Sequence, residues 1–194
     1  MTYVAHTEEY KGYTINVMHD ECAESPREWD NLGTITAWHR NYNLSDERHN
    51  YDVDTFVAKV INDKNVISLP VYMYEHSGIA LNTSGFSCRW DSGQVGWIHV
   101  NKDKVRKEYG VTRITKKVLE RVLKVLESEV DTYGKYVNGE VYGYEVLDPQ
   151  GEHVDSCWGY IGDSDDEYML QCARDAIDYE EKSRMPLLAH AGAL

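Results

Sequence analysis

The stretch TKKVLERVLKVLESEVDTYG (Thr115 to Gly134) places Val118, Leu119, Val122, Leu123, Leu126, Val130 and Tyr133 at helical spacing. These positions form one continuous apolar stripe, so the stretch is predicted to be a single amphipathic helix, capped by Thr115 and ended by Gly134. A stripe of that length has to be covered by another layer. The other apolar segments are mostly short and alternating. YKGYTINVMH (Tyr10 to His19) reads as a strand with Tyr13, Ile15 and Val17 on one face, and GTITAWHRNY (Gly33 to Tyr42) reads as a second. VISLPVYMYEHSG is a strand interrupted by Pro70, which implies an edge position or a bulge. IALNT and GQVGWIHVN are further short strands.

Between these lie shorter helical signals. YDVDTFVAKVIND (Tyr51 to Asp63) is predicted to be a short helix with Asp52 as its N-cap, and KDKVRKEYG a small basic helix closed by Gly110. Glu140 to Leu147 and His153 to Tyr160 flank the turn DPQG and form a strong hairpin signal. In the last helix, SDDEYMLQCARDAIDYEEKS, Ser164 and Glu167 read as a capping box. The order shows no βαβ repetition. The expected class is therefore α+β, a mostly antiparallel sheet packed against two or three helices. Residues 1–185 are expected to form a single domain, with 186–194 as a flexible tail.

Charge is unevenly distributed. The chain has a formal net charge of −13, with 13 acidic and 3 basic side chains in residues 139–194 but 10 basic and 6 acidic in residues 101–138. The acidic bulk argues against general affinity for nucleic acid, since phosphate contacts rely on Lys and Arg. It fits either a solubilising surface or a surface that meets a basic partner. Tyr is abundant, 15 residues against 2 Phe, which places many rings at the core boundary or in an interface. The N-terminus has neither the basic nor the apolar region of a signal peptide, and no apolar run is long enough to span a bilayer. A cytoplasmic setting follows, with reduced thiols and with Cys157 and Cys172 packed in the core.

Two groups of residues carry candidate chemistry. The first joins YEHSG (Tyr74 to Gly78) to SCRWDSGQVG (Ser87 to Gly96), offering Glu75, His76 and Asp91 as acid/base groups and Ser77 or Cys88 as a nucleophile. Neither G-x-S-x-G nor H-E-x-x-H spacing occurs, and turn formation accounts for the Ser, Asp and Gly content. No catalytic residue is therefore assigned outright. The second group is His19, Asp20, Asp30 and His39, a loosely nuclease-like set of metal ligands, weighed against a solvated loop in which Arg27 and Arg40 pair with acids. The basic stretch Lys102 to Lys124 is the one place that could meet phosphates, but on an amphipathic helix such residues usually form the wet face. No cofactor is expected.

The strings ESPREWDNLGT, WHRNYNLSD, LPVYMYEHSG, FSCRWDSGQVGWIHV, VYGYEVLD and GEHVDSCWGYIG, in this order across about residues 10–178, resemble a family of small acidic proteins of unassigned function encoded by bacteriophages and mobile elements. The resemblance implies an accessory role such as countering a host defence system, anti-CRISPR activity being one form, and it carries over no catalytic residue. The expectation is a binding protein that inhibits or modulates a host nucleic-acid enzyme, its basic nucleic-acid-binding surface being the partner. The residues expected to act are Asp163, Asp165, Asp166, Glu167, Asp175, Asp178, Glu180 and Glu181. The alternative is a metal-dependent hydrolase or nuclease built on the His/Asp/Glu groups. Direct nucleic-acid or membrane binding is not expected.

Overall fold

The computed structural model describes residues 4–191, with side chains through residue 183. Eight strands form two four-stranded sheets in which every pairing is antiparallel. This is the expected α+β class, built on two sheets. The chain divides into two compact units, one made of residues 1–24 and 139–194, the other of residues 25–138.

The discontinuous unit holds β1 (Val4–Tyr10), β2 (Tyr13–His19), β7 (Val141–Leu147), β8 (His153–Ile161) and α4 (Glu167–Ala191), with sheet order β1-β2-β7-β8. Alternation along β2 sends Tyr13, Ile15 and Val17 to one face. There they meet Tyr144 and Val146 of β7 and Met169, Leu170, Ala173 and Ile177 of α4. β1 has no counterpart in the sequence reading, because His-Thr-Glu-Glu does not alternate in the way an amphipathic strand must. A two-residue turn sets its register: Lys11 (φ 52°) and Gly12 (φ 81°) both take left-handed backbone, the geometry that suits a tight hairpin. The β7–β8 turn is the one expected. The Asp148 side chain accepts from the amides of Gln150 and Glu152, and the Gly151 amide bonds to the Asp148 carbonyl.

Two expectations for α4 change. Its N-cap is Asp166, which accepts from the Met169 amide at 3.0 Å, so the Ser164 capping box is not used. Asp caps as well as Ser does, and a start here sets Met169, Leu170 and Ala173 on the core. The helical backbone runs through Ala191, across most of the expected tail, whose residues 192–194 lie outside the described residues.

The continuous unit holds β3 (Thr34–Ala37), α1 (Val53–Phe56), β4 (Val66–Glu75), β5 (Ile79–Asn82), β6 (Ser92–Asn101), α2 (Lys102–Glu108) and α3 (Lys116–Val137), with sheet order β3-β6-β4-β5. The stripe on α3 buries Val122, Leu126, Val130 and Tyr133 against Ile35, Ile67, Val71, Leu81 and Ile98 of the sheet. Thr115 caps it as expected, but Gly134 does not end it. A Cβ at Gly134 would lie 3.3 Å from the backbone and Cβ of Leu81, so this glycine lets the helix approach β5 closely. α1 starts at Asp52 as expected, then widens into a π-type turn over Val57–Ile61. Pro70 lies within a continuous ten-residue strand. β5 pairs β4 only from Tyr72 onward, so β4 has a single neighbour at Pro70, and a bulge follows between Val71 and Tyr72.

β3 is an edge strand, and the segment after it shields its free side with side chains. Ser45 Oγ accepts from the Ala37 amide and donates to the Ala37 carbonyl, while Asp46 accepts from the Ile35 amide at 2.7 Å. Arg27 anchors Asp46 in turn. Ser25 caps the short turn Pro26–Glu28, from which Arg27 makes a bidentate pair with Asp46 at 2.9 and 2.7 Å and reaches Glu129 at 3.2 Å.

Candidate functional site

The ends of β4 and β6 bring the first candidate group together. The Glu75 amide bonds to the Asp91 carbonyl at 2.9 Å, which fixes the two loops side by side. His76 Nδ1 then lies 3.7 Å from Asp91 Oδ2. Glu75 accepts from the Tyr42 hydroxyl at 2.8 Å, a bond that pushes the phenol above its usual range, and the Tyr42 ring stacks on His39. His39, Glu75, Trp90 and Asp91 line one open cleft of about 400 Å³, floored by Gly93. Trp90 is 95% exposed at its rim. The strand expected to run through Tyr42 stops at Ala37, which lets His39 line the cleft and Tyr42 reach Glu75.

The expected nucleophiles are not activated. Cys88 Sγ donates to Asp91 Oδ2 at 3.5 Å, so the carboxylate stands between the thiol and His76. Ser77 donates to the His76 carbonyl at 2.6 Å, and its φ of 56° belongs to the turn. Asn82 holds the amides of Ser84 and Gly85, and Ser92 bonds the Cys88 carbonyl. The small polar side chains tie down backbone, while His76 and Asp91 pair across the loops. The groups on offer are an imidazole 3.7 Å from one carboxylate, with a second carboxylate and an indole face nearby.

The second group is divided between the two units. The His19 ring lies tilted against Tyr142 and bonds the Gly139 carbonyl, and Asp20 accepts from the Cys22 amide. Asp30 and His39 lie in the continuous unit and line different hollows. Among the described residues no three His, Cys, Asp or Glu side chains stand close enough to hold a metal ion. In the basic stretch, Lys102 and Lys104 are bound to the carbonyls of Lys64 and Asn31, and Arg106 pairs with Asp103.

In the acidic group Asp163, Asp165, Asp166, Glu167 and Asp175 are exposed, Asp178, Glu180 and Glu181 are half-buried, and part of the charge is neutralised. Lys11 reaches Asp178 at 2.8 Å and Glu181 at 3.0 Å, which raises the lysine and lowers Asp178. Arg174 holds Glu167 at 2.6 Å and also Glu8, whose carboxyl the guanidinium keeps below its usual range. Asp163, Asp165, Asp166 and Asp175 have no cation partner among the described residues. Tyr168 and Tyr179, absent from the expected set, are 73% and 74% exposed on the same helix. Seven and eleven residues are close to two and three helical turns, so Tyr168, Asp175 and Tyr179 share one stripe. Their signal in the sequence is an aromatic residue placed opposite Met169, Leu170, Ala173 and Ile177.

Among the described residues no helix is long and apolar enough to cross a membrane. No protein-family model, curated protein or solved structure matches the chain.

Proposed function

We propose that this chain is a binding protein, that its working surface is the solvent face of α4, and that its partner presents a basic surface. One observation carries the reading: exposed Tyr168 and Tyr179 flank Asp175 on a unit that holds 18 acidic and 4 basic side chains. The continuous unit, with 15 acidic and 16 basic side chains, is close to neutral. Tyr is enriched among residues that dominate binding energy, because a rigid ring covers area at low entropic cost. Carboxylates without an internal cation supply steering and choice of partner. The working set is thus Asp163, Asp165, Asp166 and Asp175 with the two tyrosines, while Glu167, Asp178 and Glu181 are held by Arg174 and Lys11. That the partner is a host nucleic-acid enzyme rests on the resemblance to phage-encoded proteins alone.

The test is affinity capture from a cell lysate at low and raised salt, with wild type and a variant combining Asp165→Asn, Asp175→Asn, Tyr168→Ala and Tyr179→Ala. A basic partner kept by wild type, lost by the variant and released by salt supports the proposal. A partner that binds both proteins alike at all salt concentrations overturns it.

A second reading has its own observation, the His76–Asp91 pair at a cleft that Asp91 lines together with Glu75 and His39. An imidazole beside a carboxylate can serve as a general base once the two close to hydrogen-bond distance. Hydrolysis of nucleic-acid or ester probes that is lost in His76→Gln and Asp91→Asn would favour it. Equal background turnover in wild type and both variants would dispose of it.

A further inference from the structure

Cys157 and Cys172 were expected in the core, but the structure places them otherwise. Cys157 is exposed and Cys172 is half-buried, and both are free thiols. The register explains why they converge. Cys157 pairs with Tyr144, whose ring is buried under α4, so Cys157 points to the helix-bearing side of the sheet. The pairing then slips: Tyr160 faces Tyr142, and Gly159 takes the left-handed backbone (φ 88°) that the extra residue requires. Cys157 and Tyr160 therefore share one face although they are three residues apart. Cys172 packs against the same core from α4, as does the Tyr160 ring. Burial, together with the Cys157 and Cys172 thiols near its hydroxyl, raises the Tyr160 phenol above its usual range. The Tyr160 phenol is thus neighbour to two thiols, one on the edge strand β8 and one on α4.

We propose that Cys157 and Cys172 are an oxidisable pair, forming a reversible disulfide that ties β8 to α4. The co-reactant is a small disulfide of the glutathione type. The exposed Cys157, as thiolate, attacks one sulfur of the oxidant. The oxidant's S–S bond breaks, one small thiol leaves with a proton from solvent, and a mixed disulfide remains on Cys157. The Cys172 thiolate attacks the Cys157 sulfur and displaces the second small thiol. Two protein thiols lose two electrons and two protons, and one oxidised co-reactant becomes two thiols. The closed loop contains Gly159, Gly162 and the acidic segment from Asp163 to Asp166 that leads into α4. The Tyr160 ring also packs on Tyr168, so the crosslink forms at the root of the proposed binding face. Formation of the disulfide does not depend on that binding reading.

The experiment incubates the purified chain with oxidised and reduced glutathione at several ratios, then counts thiols and maps peptides by mass spectrometry without reduction. The expected result is a fall from four free thiols to two. A Cys157–Cys172 linked peptide should appear, lighter by two hydrogens and restored by reductant. Cys157→Ser and Cys172→Ser should each abolish the link, while a variant with both Cys22→Ser and Cys88→Ser should keep it. A stable glutathione adduct on Cys157 with Cys172 still free, or links that scatter over Cys22, Cys88 and second copies of the chain, would overturn the proposal. Neither readout involves a binding partner, so failure here is separable from failure of the proposed function.

Discussion

Replacing Arg27 by methionine removes the cation that holds three parts of the continuous unit together. Its guanidinium bonds Asp46 twice, Glu129 once and the Gly33 carbonyl once, at 2.7 to 3.2 Å. The side chains of Arg27, Asp46 and Glu129 are only 7%, 15% and 11% exposed. Methionine fills similar volume, so the loss is electrostatic rather than a cavity. Breaking a buried pair from one side costs about 3–5 kcal/mol, because the remaining charge is left without its partner. Here each carboxylate keeps backbone donors: Ile35 for Asp46, and Leu32 and Gly33 for Glu129. That points to the lower end, about 3 kcal/mol. At about 2–4 °C per kcal/mol for a chain of this size, the melting temperature should fall by roughly 6–12 °C. Chemical denaturation with parallel thermal melts measures it. Adding Asp46→Asn and Glu129→Gln to Arg27→Met should recover part of the loss, because neutral amides need no counter-charge. A loss below about 1 kcal/mol, the range of exposed pairs, would refute the reasoning.

Three further outcomes are expected. Burial lowers the His99 pKa from its usual 6.5, so the folded state resists a proton that the unfolded chain accepts; stability should hold above about pH 6.5 and fall as pH drops below it, and His99→Gln should flatten that slope in pH-dependent melts. A Cβ at Gly143 would lie 2.2 Å from the Trp158 ring, so Gly143→Ala should displace the indole, change the near-ultraviolet circular dichroism and cost about 1–3 kcal/mol as overpacking does. Lys11→Met should uncover Asp178 and Glu181, giving a small stability loss at low salt that vanishes at high salt; a loss independent of salt would point to packing of the Lys11 stem on Tyr10.

Period and turn chemistry made much of this fold legible. The α3 stripe, the Asp52 cap and the DPQG hairpin each combine a local signal with a buried face that agrees with it. β1 was hidden because its partner strand and turn, not its own pattern, hold it in place. Gly134 and Ser164 misled because a glycine or a serine reads as a helix boundary from sequence, whereas the Leu81 contact and the Asp166 cap are facts of packing. The candidate site was half legible. Glu75, His76 and Asp91 do gather, but His39 and Tyr42 join them only because β3 ends early. The acidic residues from Asp163 to Glu181 are neighbours in the sequence itself. The neutralisation of Asp178 and Glu181 depends on Lys11, in a hairpin turn more than 160 residues away.

The order of the two units along the chain bears on synthesis. β2 must pair with β7, and about 130 residues separate the paired positions. During translation the β1–β2 hairpin leaves the ribosome before β7 and α4 and waits for them with Ile15 and Val17 uncovered. Residues 25–138 form a continuous unit with its own core, and can collapse during that interval. The waiting hairpin has two tools against mispairing in that time: the Lys11-Gly12 turn, which closes it locally, and the two glutamates of β1, which repel a second copy. The long insertion thus makes the N-terminal hairpin the part of the nascent chain that most needs a guarded edge.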